Sequence, residues 1–314
     1  MRELTPGIRR VTFSLPLGID HVHCYLLRAT DGSWTLVDTG LGLPGAEERW
    51  SQILRELDAP IERIVITHFH PDHVGDAAPV AALSGATVFQ GRIDSEQCRR
   101  AWGESRSPAR LTRHLLEHGM PEAQVDELER EFELLAQLVH AVPDPEPLEP
   151  GERVEGWEVV HLPGHADGHL SLLRDGVLIA GDALLAQISP TVGLYPDARP
   201  DPLGDYLCSL ERMVELAPSI AFPGHREPIE DPAARARELI AHHRERLAAT
   251  LAALQAQPKT AYEVSLSVFE SALSTSLRRF ALAESLAHLE RLVREERAKR
   301  CEEDGRVLYA APAG

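Results

Sequence analysis

Apolar positions in the first third of the chain switch repeatedly between the two-residue period of a strand and the wider spacing of a helix face. Short apolar runs bounded by turn residues predict strands, and Asp31-Gly32 favours a tight turn that joins the first two as a hairpin. The predicted strands are Val22–Leu27, Trp34–Val37, Arg63–Thr67 and Ala86–Gln90, and the predicted helices are Glu47–Leu57 and Gly75–Leu83. This alternation predicts an α/β layer architecture.

A helical stretch interrupts that pattern over residues 92–142. Within it, Leu111–His118 ends at Gly119, and a second helix opens at Pro121 with apolar residues at helical spacing. We interpret the stretch as a helical insertion that packs on the α/β body, either as core or as a lid or substrate wall. Pro143–Gly151 is rich in proline and glutamate and predicts a stiff connector back to the sheet.

The second half of the chain returns to strands and helices and changes in character after Pro258. The predicted strands are Trp157–Leu162, Leu170–Leu173, Val177–Ala180 and Ile220–Phe222, and the predicted helices are Tyr206–Leu216 and Glu230–Gln257. Beyond them, Thr260–Ser276 is amphipathic, and Asp304-Gly305 is placed to turn a terminal hairpin. We therefore predict a first domain of residues 1–258 and a small α+β domain, winged-helix-like, over residues 259–314.

Composition narrows the class of protein. The chain has 314 residues, of which 43% are hydrophobic and 26% charged, as expected for a globular protein that folds by burial alone. Its four cysteines are widely scattered, which fits a reducing compartment better than a disulfide framework. No apolar stretch reaches the roughly 18 residues of a membrane span, and the N-terminal segment lacks the apolar core of a signal peptide. We expect a cytoplasmic protein with no membrane partner.

A histidine-rich hexapeptide directly follows the predicted strand Arg63–Thr67. Its sequence is His68-Phe69-His70-Pro71-Asp72-His73, and we expect its imidazoles and carboxylate to project from one tight loop and converge on a common point. A single histidine is usually a core or surface residue. Three histidines with an aspartate in so short a segment indicate a metal site instead.

Three further predicted strands end in one candidate ligand beside a glycine. The segments are Pro163-Gly164-His165, Gly181-Asp182 and Pro223-Gly224-His225. Glycine permits the sharp turn and close backbone approach that let a side chain face an ion. Each segment alone is at least as often an ordinary turn, but together with the hexapeptide they complete two coordination shells.

Other histidines fit a structural role better than a ligand role. His169 begins the next strand, so we interpret it as structural or as a hydrogen-bond partner of a ligand. The same interpretation applies to His21, His23, His242 and His243.

In order and spacing, these motifs resemble the metallo-β-lactamase superfamily. The resemblance implies an αββα four-layer sandwich over about residues 8–230, with a metal site at one edge of its two sheets. It also implies that Asp38 lies beneath the site and orients a ligand histidine through a hydrogen bond. The implied ligands are His68, His70 and His165 for one ion, Asp72, His73 and His225 for the other, and Asp182 as the bridge between them.

The implied chemistry is hydrolysis. Two divalent ions lower the pKa of a bridging water towards neutrality, which makes a metal-bridging hydroxide available to attack an ester-type bond. Asp72 is expected to bind metal, to hold the attacking water and to pass a proton to the leaving group. Tyr195 is a candidate to stabilise a developing oxyanion, with a packed aromatic residue as the alternative. The ligands suit zinc, with manganese and iron as the other options.

The substrate class stays open. β-Lactamases of the superfamily that have a cysteine ligand carry it where this chain has Asp182, so the chain resembles the ester-cleaving members instead. Hydroxyacylglutathione hydrolase, or glyoxalase II, is related, but the C-terminal segment is more similar to that of β-lactamase-like proteins with a winged-helix tail. We expect a small-molecule or nucleotide substrate with an ester, thioester or phosphodiester bond.

A metal-dependent nuclease or cyclic-nucleotide phosphodiesterase is the main alternative, and a net charge of −17 weighs against a nucleic-acid partner. The basic residues of the tail are Arg278, Arg279, Arg291, Arg294, Arg297, Lys299 and Arg300. Glutamates interleave with them, which predicts a solvated mixed-charge face. An iron redox enzyme and a metal-loaded scaffold without activity are further alternatives. The apolar stripe of the tail serves either a homodimer or its own core, and comprises Leu282, Leu286, Leu289 and Val293.

Overall fold

The structure, a computed structural model, describes residues 1–16, 18–104, 106–255 and 257–312. In the larger sheet, the strands lie side by side in the same order as in the sequence. The strands are β1 (Arg2–Thr5), β2 (Ile8–Ser14), β3 (His21–Arg28), β4 (Trp34–Val37), β5 (Ile61–Ile66), β6 (Thr87–Gly91) and β7 (Glu146–Leu148). Neighbours from β1 to β4 are antiparallel, and neighbours from β4 to β7 are parallel. The segments that follow β4 and β5 therefore leave the sheet at the same edge.

The smaller sheet has the strand order β12-β11-β10-β9-β8. Its strands are β8 (Arg153–Val154), β9 (Trp157–His161), β10 (Leu170–Arg174), β11 (Val177–Gly181) and β12 (Ile220–Pro223). Because β9 and β11 are each antiparallel to β10, and β12 is parallel to β11, these three strands run in one direction. Their carboxyl ends, which lead to the predicted ligands, lie at a common edge.

Helices cover the sheets and form the predicted insertion. The helices are α1 (Ala46–Glu56), α2 (Pro71–Val74), α3 (Ala77–Ser84), α4 (Arg92–Trp102), α5 (Pro108–Glu117), α6 (Glu122–Ala136), α7 (Pro202–Leu216), α8 (Pro232–Ala253), α9 (Ala261–Val268) and α10 (Thr275–Arg294). Aspartate side chains cap α7 and α8, and Thr260 and Glu263 form a capping box at α9. Among the described residues, no helix is long and apolar enough to cross a membrane.

Alternate side chains of each strand enter different cores, which builds four layers. On β3, Leu26 packs with Trp50 of α1 on the outer side, while Tyr25 faces the smaller sheet. On β11, Leu178 packs among the helices on the opposite outer side, while Ile179 faces the larger sheet. The period of two residues thus places one core between the sheets and one outside each sheet. The predicted αββα sandwich is confirmed.

The C-terminal tail shares its core with the smaller sheet. It consists of α9, α10 and an antiparallel hairpin of β13 (Lys299–Glu303) and β14 (Arg306–Ala310), so the predicted α+β character is confirmed. Leu286 and Leu289 of the predicted stripe are buried in the same cluster as Leu178 and Leu210. The stripe therefore packs within the chain's own core. A domain boundary after residue 258 stays a prediction, and residues 313–314 of the predicted domain lie outside the described residues.

The structure adds three local features that the sequence did not predict. Pro143–Gly151 contains a strand as well as a connector, because β7 pairs with β6 at the edge of the larger sheet. Pro147 lacks a backbone N–H, and this edge strand tolerates it because no further strand needs a hydrogen bond from it. Strands β1 and β2 precede the first predicted strand. The amphipathic stretch Thr260–Ser276 contains α9, which ends at Val268, and the start of α10, which follows the cap Ser274.

Candidate metal centre

Carboxyl ends of strands from both sheets bring the predicted ligands together. One potential ligand atom from each residue of a group lies within 4.8 Å of the others in three overlapping groups. The groups are His68, His70 and His165; His68, His73 and Asp182; and Asp72, His73 and His225. The first and third groups correspond to the two sets of ligands expected from the sequence, and every predicted ligand belongs to at least one group.

The hexapeptide is not one loop, as expected from the sequence, since Asp72 and His73 lie on α2. Pro71 occupies the first turn of this helix, where its fixed φ and missing N–H are tolerated. Because α2 is a single turn, the two side chains still project towards the same region as the histidines before it.

Asp182 lies at the junction of the two halves. Its Oδ2 is 3.6 Å from Nε2 of His165 and 3.2 Å from Nε2 of His225, and its Oδ1 is 3.6 Å from Nε2 of His73. One carboxylate therefore faces ligand atoms of both predicted ion sites. This is the placement that a bridging ligand requires.

Hydrogen bonds at Nδ1 fix how four of the histidines face this centre. A carbonyl or carboxylate oxygen only accepts, so an Nδ1 that contacts one carries a proton, and in the neutral ring Nε2 then has the lone pair. The Nδ1 contacts are His73 with Asp38 Oδ2 (2.8 Å), His165 with the carbonyl of Thr191 (2.8 Å) and His225 with the carbonyl of His21 (2.6 Å). His68 Nδ1 contacts Thr67 Oγ1 (2.9 Å), which itself donates to Asp38. Each imidazole thus offers Nε2 as a metal ligand.

Several polar atoms at the centre are buried without a hydrogen-bond partner among the described residues. They are Nε2 of His73, Nε2 of His165 and Oδ1 of Asp182. Buried polar atoms are nearly always paired in folded proteins, because an unpaired one loses its hydration without replacement. Since the unpaired atoms are lone-pair donors that face one another, the residues present fit divalent cations.

Charges within the cluster divide it into two halves. Burial lowers the pKa of His68 and His70 well below the usual range, which keeps these imidazoles neutral. Burial also acts on His73 and His225, but the nearby carboxylates, above all Asp182, outweigh it and raise the pKa of both. Burial alone would raise the pKa of Asp182, yet His225 and His73 hold it well below the usual range. Asp182 is therefore ionised and suited to a cation.

Comparison with known families decides what kind of site this is. A family model described as the Metallo-beta-lactamase superfamily matches residues 17–225. The chain belongs to the metallo-β-lactamase superfamily. A second family model, described as the Metallo-beta-lactamase-like, C-terminal domain, matches residues 247–312.

Individual relatives extend the match over nearly the whole chain. The chain is 29% identical to "Probable metallo-hydrolase YqjP" of Bacillus subtilis (strain 168), over 93% of this chain and 94% of that protein. It is 39% identical to the metallo-beta-lactamase family protein TTHA1429 from Thermus thermophilus, with a TM-score of 0.86 over 98% of this chain and 100% of the other. It is 27% identical to TTHA1623 in a di-iron-bound form, with a TM-score of 0.50 over 73% and 97%. The chain is a metallo-hydrolase in this broad sense.

In this member of the superfamily, Asp38 holds two parts of the centre together. Its carboxylate accepts hydrogen bonds from the backbone N–H of Thr67, the hydroxyl of Thr67 and Nδ1 of His73, each at 2.8 Å. Its φ is 61°, a left-handed conformation that costs free energy in a residue with a side chain. The placement matches the orienting role expected from the sequence.

We expect Asp38→Asn to weaken metal binding by about 10- to 100-fold, the usual cost of losing a group that orients a ligand histidine. An amide replaces one accepting oxygen by an N–H₂ group, which faces a donor in either orientation. Competition with a chelator, followed by metal analysis, measures the effect. Asp175→Asn is the matched control, because Asp175 also has a positive φ, of 50°, and is exposed. Wild-type metal affinity in Asp38→Asn would contradict the assigned role.

Two residues that sequence reasoning missed fix the backbone between the first two ligands. Buried Asp94 accepts a hydrogen bond from the N–H of Phe69 (3.1 Å), and the indole of Trp102 donates to the carbonyl of Phe69 (2.7 Å). Burial raises the pKa of Asp94 to about 7. The position of Asp94 in the sequence could have identified it, because Asp94 follows the carboxyl end of β6, which is parallel to β5.

Histidines interpreted as structural also support the centre. His169 Nε2 accepts the backbone N–H of Asp182 at 3.0 Å, and burial lowers the pKa of His169 to about 3, so a neutral imidazole positions the backbone of Asp182. The ring of His21 accepts the N–H of Arg226, and the ring of His23 contacts the carbonyl of Arg226. His242 and His243 form a separate group of potential ligands with Glu284 between α8 and α10.

Tyr195 lies where its loop meets α10. Its ring lies beside Gly193, where an added methyl group would be 2.7 Å from Cε2 of Tyr195 and 2.9 Å from Cβ of Ala283. Burial raises the pKa of Tyr195 above its usual value. Contact between the Tyr195 hydroxyl and a developing oxyanion stays a prediction.

Proposed function

We propose that this protein is a dinuclear metal-dependent hydrolase that cleaves an ester-type bond in a small-molecule substrate. The proposal depends on one observation, the convergence of buried, unpaired lone pairs around the ionised Asp182. When bound, two divalent ions supply an activated water and polarise the substrate oxygen. We propose zinc first, with manganese or iron as the alternatives, and the di-iron form of the relative TTHA1623 keeps iron among the choices.

The chain's own residues divide the work. His68, His70 and His165 would hold one ion, and Asp72, His73 and His225 would hold the other, with Nε2 as the binding atom wherever Nδ1 is already bonded. Asp182 faces histidines of both sets and fixes their relative positions. The hydrogen bonds at Nδ1 keep the rings of His68, His73, His165 and His225 in one tautomer, so these rings need no reorganisation when the substrate arrives.

Asp72 is proposed to handle the proton. Its side chain is 14% exposed, whereas the side chains of His225 and Asp182 are 1% and 6% exposed. Its Oδ2 is 3.4 Å from Nε2 of His225. Of these groups, Asp72 is the one that solvent and a leaving group reach most easily, which suits a residue that takes a proton from water and returns it to the product.

Pairing of the basic residues of the tail supports a small substrate over a nucleic acid. Arg278 donates to backbone carbonyls, Arg291 pairs with Asp201 and Glu295, and Arg300 pairs with Glu290. Few charges remain to neutralise phosphates, which is the main source of affinity in nucleic-acid binding. A nuclease or cyclic-nucleotide phosphodiesterase remains the second candidate.

We also propose a cytoplasmic location, supported by free cysteines, and leave a homodimer as a prediction.

The test begins with protein produced without added metal, followed by elemental analysis and assays with zinc and manganese. We expect about two ions per chain and turnover of ester or thioester substrates, because the cluster has ligands for two ions. Asp72→Asn should retain much of the metal while losing turnover. Absence of bound metal would refute the dinuclear site. Hydrolysis of bis(p-nitrophenyl) phosphate without turnover of carboxylic esters and thioesters would select the phosphodiesterase candidate.

A further inference from the structure

The start of α10 is connected to the metal centre on one side through the loop after β11. The carbonyl of Thr191 accepts Nδ1 of His165, and Leu194 on the same loop donates its N–H to the carbonyl of Ala283 on α10 at 3.0 Å. Three residues of extended chain span at most about 11 Å. Ala283 on α10 is therefore connected through three residues of chain and two hydrogen bonds to His165, a candidate metal ligand.

A second connection reaches the same end of α10 from the other half of the centre. The carbonyl of His21 accepts Nδ1 of His225. Three residues earlier, a methyl group on Gly18 would lie 3.6 Å from Cδ2 of Leu277 on α10. The first turns of α10 are thus joined by short segments to ligands of both proposed ions, which places them at the side of the centre.

Arg279 lies on these turns without a counter-ion. Among the described residues, no carboxylate is within 4.0 Å of its guanidinium nitrogens, and its buried Nε has no hydrogen-bond partner. The guanidinium instead lies over the rings of Phe132 and Phe280, 4.6 Å and 4.1 Å from their centroids. Burial lowers the pKa of Arg279, and Tyr195 and then Glu131 oppose this shift; Glu131 already accepts a hydrogen bond from Ser276 at 2.6 Å.

Neighbouring arginines show how unusual this is within the tail. Arg278 is fully engaged with carbonyls of Ser265 and Glu270, and Arg291 is paired with carboxylates. Arg279 lies one helical turn before Ala283 on α10, and a methyl group on Gly193 would meet both Ala283 and the Tyr195 ring. An arginine held by aromatic faces keeps its planar fork of donors available for a ligand.

We propose that Arg279 is a substrate-binding residue that recognises an anionic group, a carboxylate or a phosphate, at the end of the substrate away from the bond that is cleaved. The proposal rests on the proposed hydrolase function and names its substrate class. Guanidinium matches both oxyanions through paired charge-assisted hydrogen bonds. The aromatic rings beside it hold the guanidinium in place for such a ligand.

The test compares two esters of similar length on the metal-loaded full chain. One is p-nitrophenyl butyrate, which is neutral, and the other is mono-p-nitrophenyl glutarate, which carries a carboxylate. For Arg279→Gln we expect KM for the glutarate ester to rise about tenfold or more, with kcat unchanged, and kcat/KM for the butyrate ester to change less than about twofold. Arg279→Lys should recover part of the loss. Arg294→Gln, an exposed arginine on the same helix, should match wild type on both esters.

Direct binding separates the subsite from the reaction. Glutarate and inorganic phosphate are titrated calorimetrically into wild type and Arg279→Gln, and the larger loss identifies the preferred anion. If wild type hydrolyses neither ester with any metal, the proposed function fails, whereas loss of anion binding in Arg279→Gln still supports the subsite. Equal losses on both esters, or anion binding that Arg279→Gln leaves unchanged, would overturn the proposal.

Discussion

Asp182→Ala is expected to remove metal from both halves of the centre and to lower kcat/KM by about 10³-fold or more. The carboxylate faces Nε2 of His73, His165 and His225, so its loss removes a ligand from each side at once. It also removes the negative charge that offsets two cations in a buried site. An interaction worth several kcal/mol in the transition state corresponds to a rate factor of this size.

Elemental analysis after dialysis measures the loss of metal, and the ester assay measures the rate. Asp231→Ala is a suitable control, because it removes the N-cap of α8 and costs about 1 kcal/mol of stability without touching a ligand. If Asp182→Ala still bound two ions per chain, the carboxylate would not be the bridge.

Gly224→Ala is expected to lower kcat/KM by about 100-fold through displacement of ligands that it does not itself provide. An added methyl group would lie 2.4 Å from Oδ1 of Asp182 and 2.6 Å from Cε1 of His73. Gly224 is not among the residues with a positive φ, so the backbone accepts alanine and the clash falls on the two ligands. A shift of about 1 Å in a reacting group is enough for a loss of this size.

Gly85→Ala provides the contrast. Gly85 has a φ of 75° and open space around it, so alanine there strains the backbone by about 1 kcal/mol and leaves the centre intact. Thermal melting and metal content separate the two variants. Full activity in Gly224→Ala would show that Asp182 and His73 move aside without loss of function. The crowding at Gly224 would then have no part in positioning these side chains.

The ligand motifs were predictable because the information that fixes them is local. A buried strand followed by glycine and histidine, or by the hexapeptide, encodes both the end of the strand and the ligand in adjacent residues. Parallel strand direction then brings separate motifs to one edge. The αββα order follows from the same periodicity of two and of three to four residues.

The sequence does not reveal contacts made by groups that every residue has, or contacts between residues far apart in the chain. The carbonyls of Thr191 and His21 fix two of the ligand rings, and any residue supplies a carbonyl. Likewise, Asp94 contacts the hexapeptide only because α4 folds back over β6. The position of the C-terminal tail depends on its packing against the smaller sheet in a shared core. These residues are far apart in the sequence, so no local pattern encodes their contacts.

The ligands come from both halves of the sandwich, with His68 to His73 following the larger sheet and His165, Asp182 and His225 following the smaller one. Ions bound there would therefore link the two sheets, in addition to the inter-sheet core and to hydrogen bonds such as those of His225 with the His21 carbonyl and of Tyr25 with the Pro223 carbonyl. Ligand binding to the native state alone adds to the free energy of unfolding in proportion to the logarithm of ligand concentration. We therefore expect the free energy of unfolding of this protein to rise with the concentration of the metal that it binds, even without substrate.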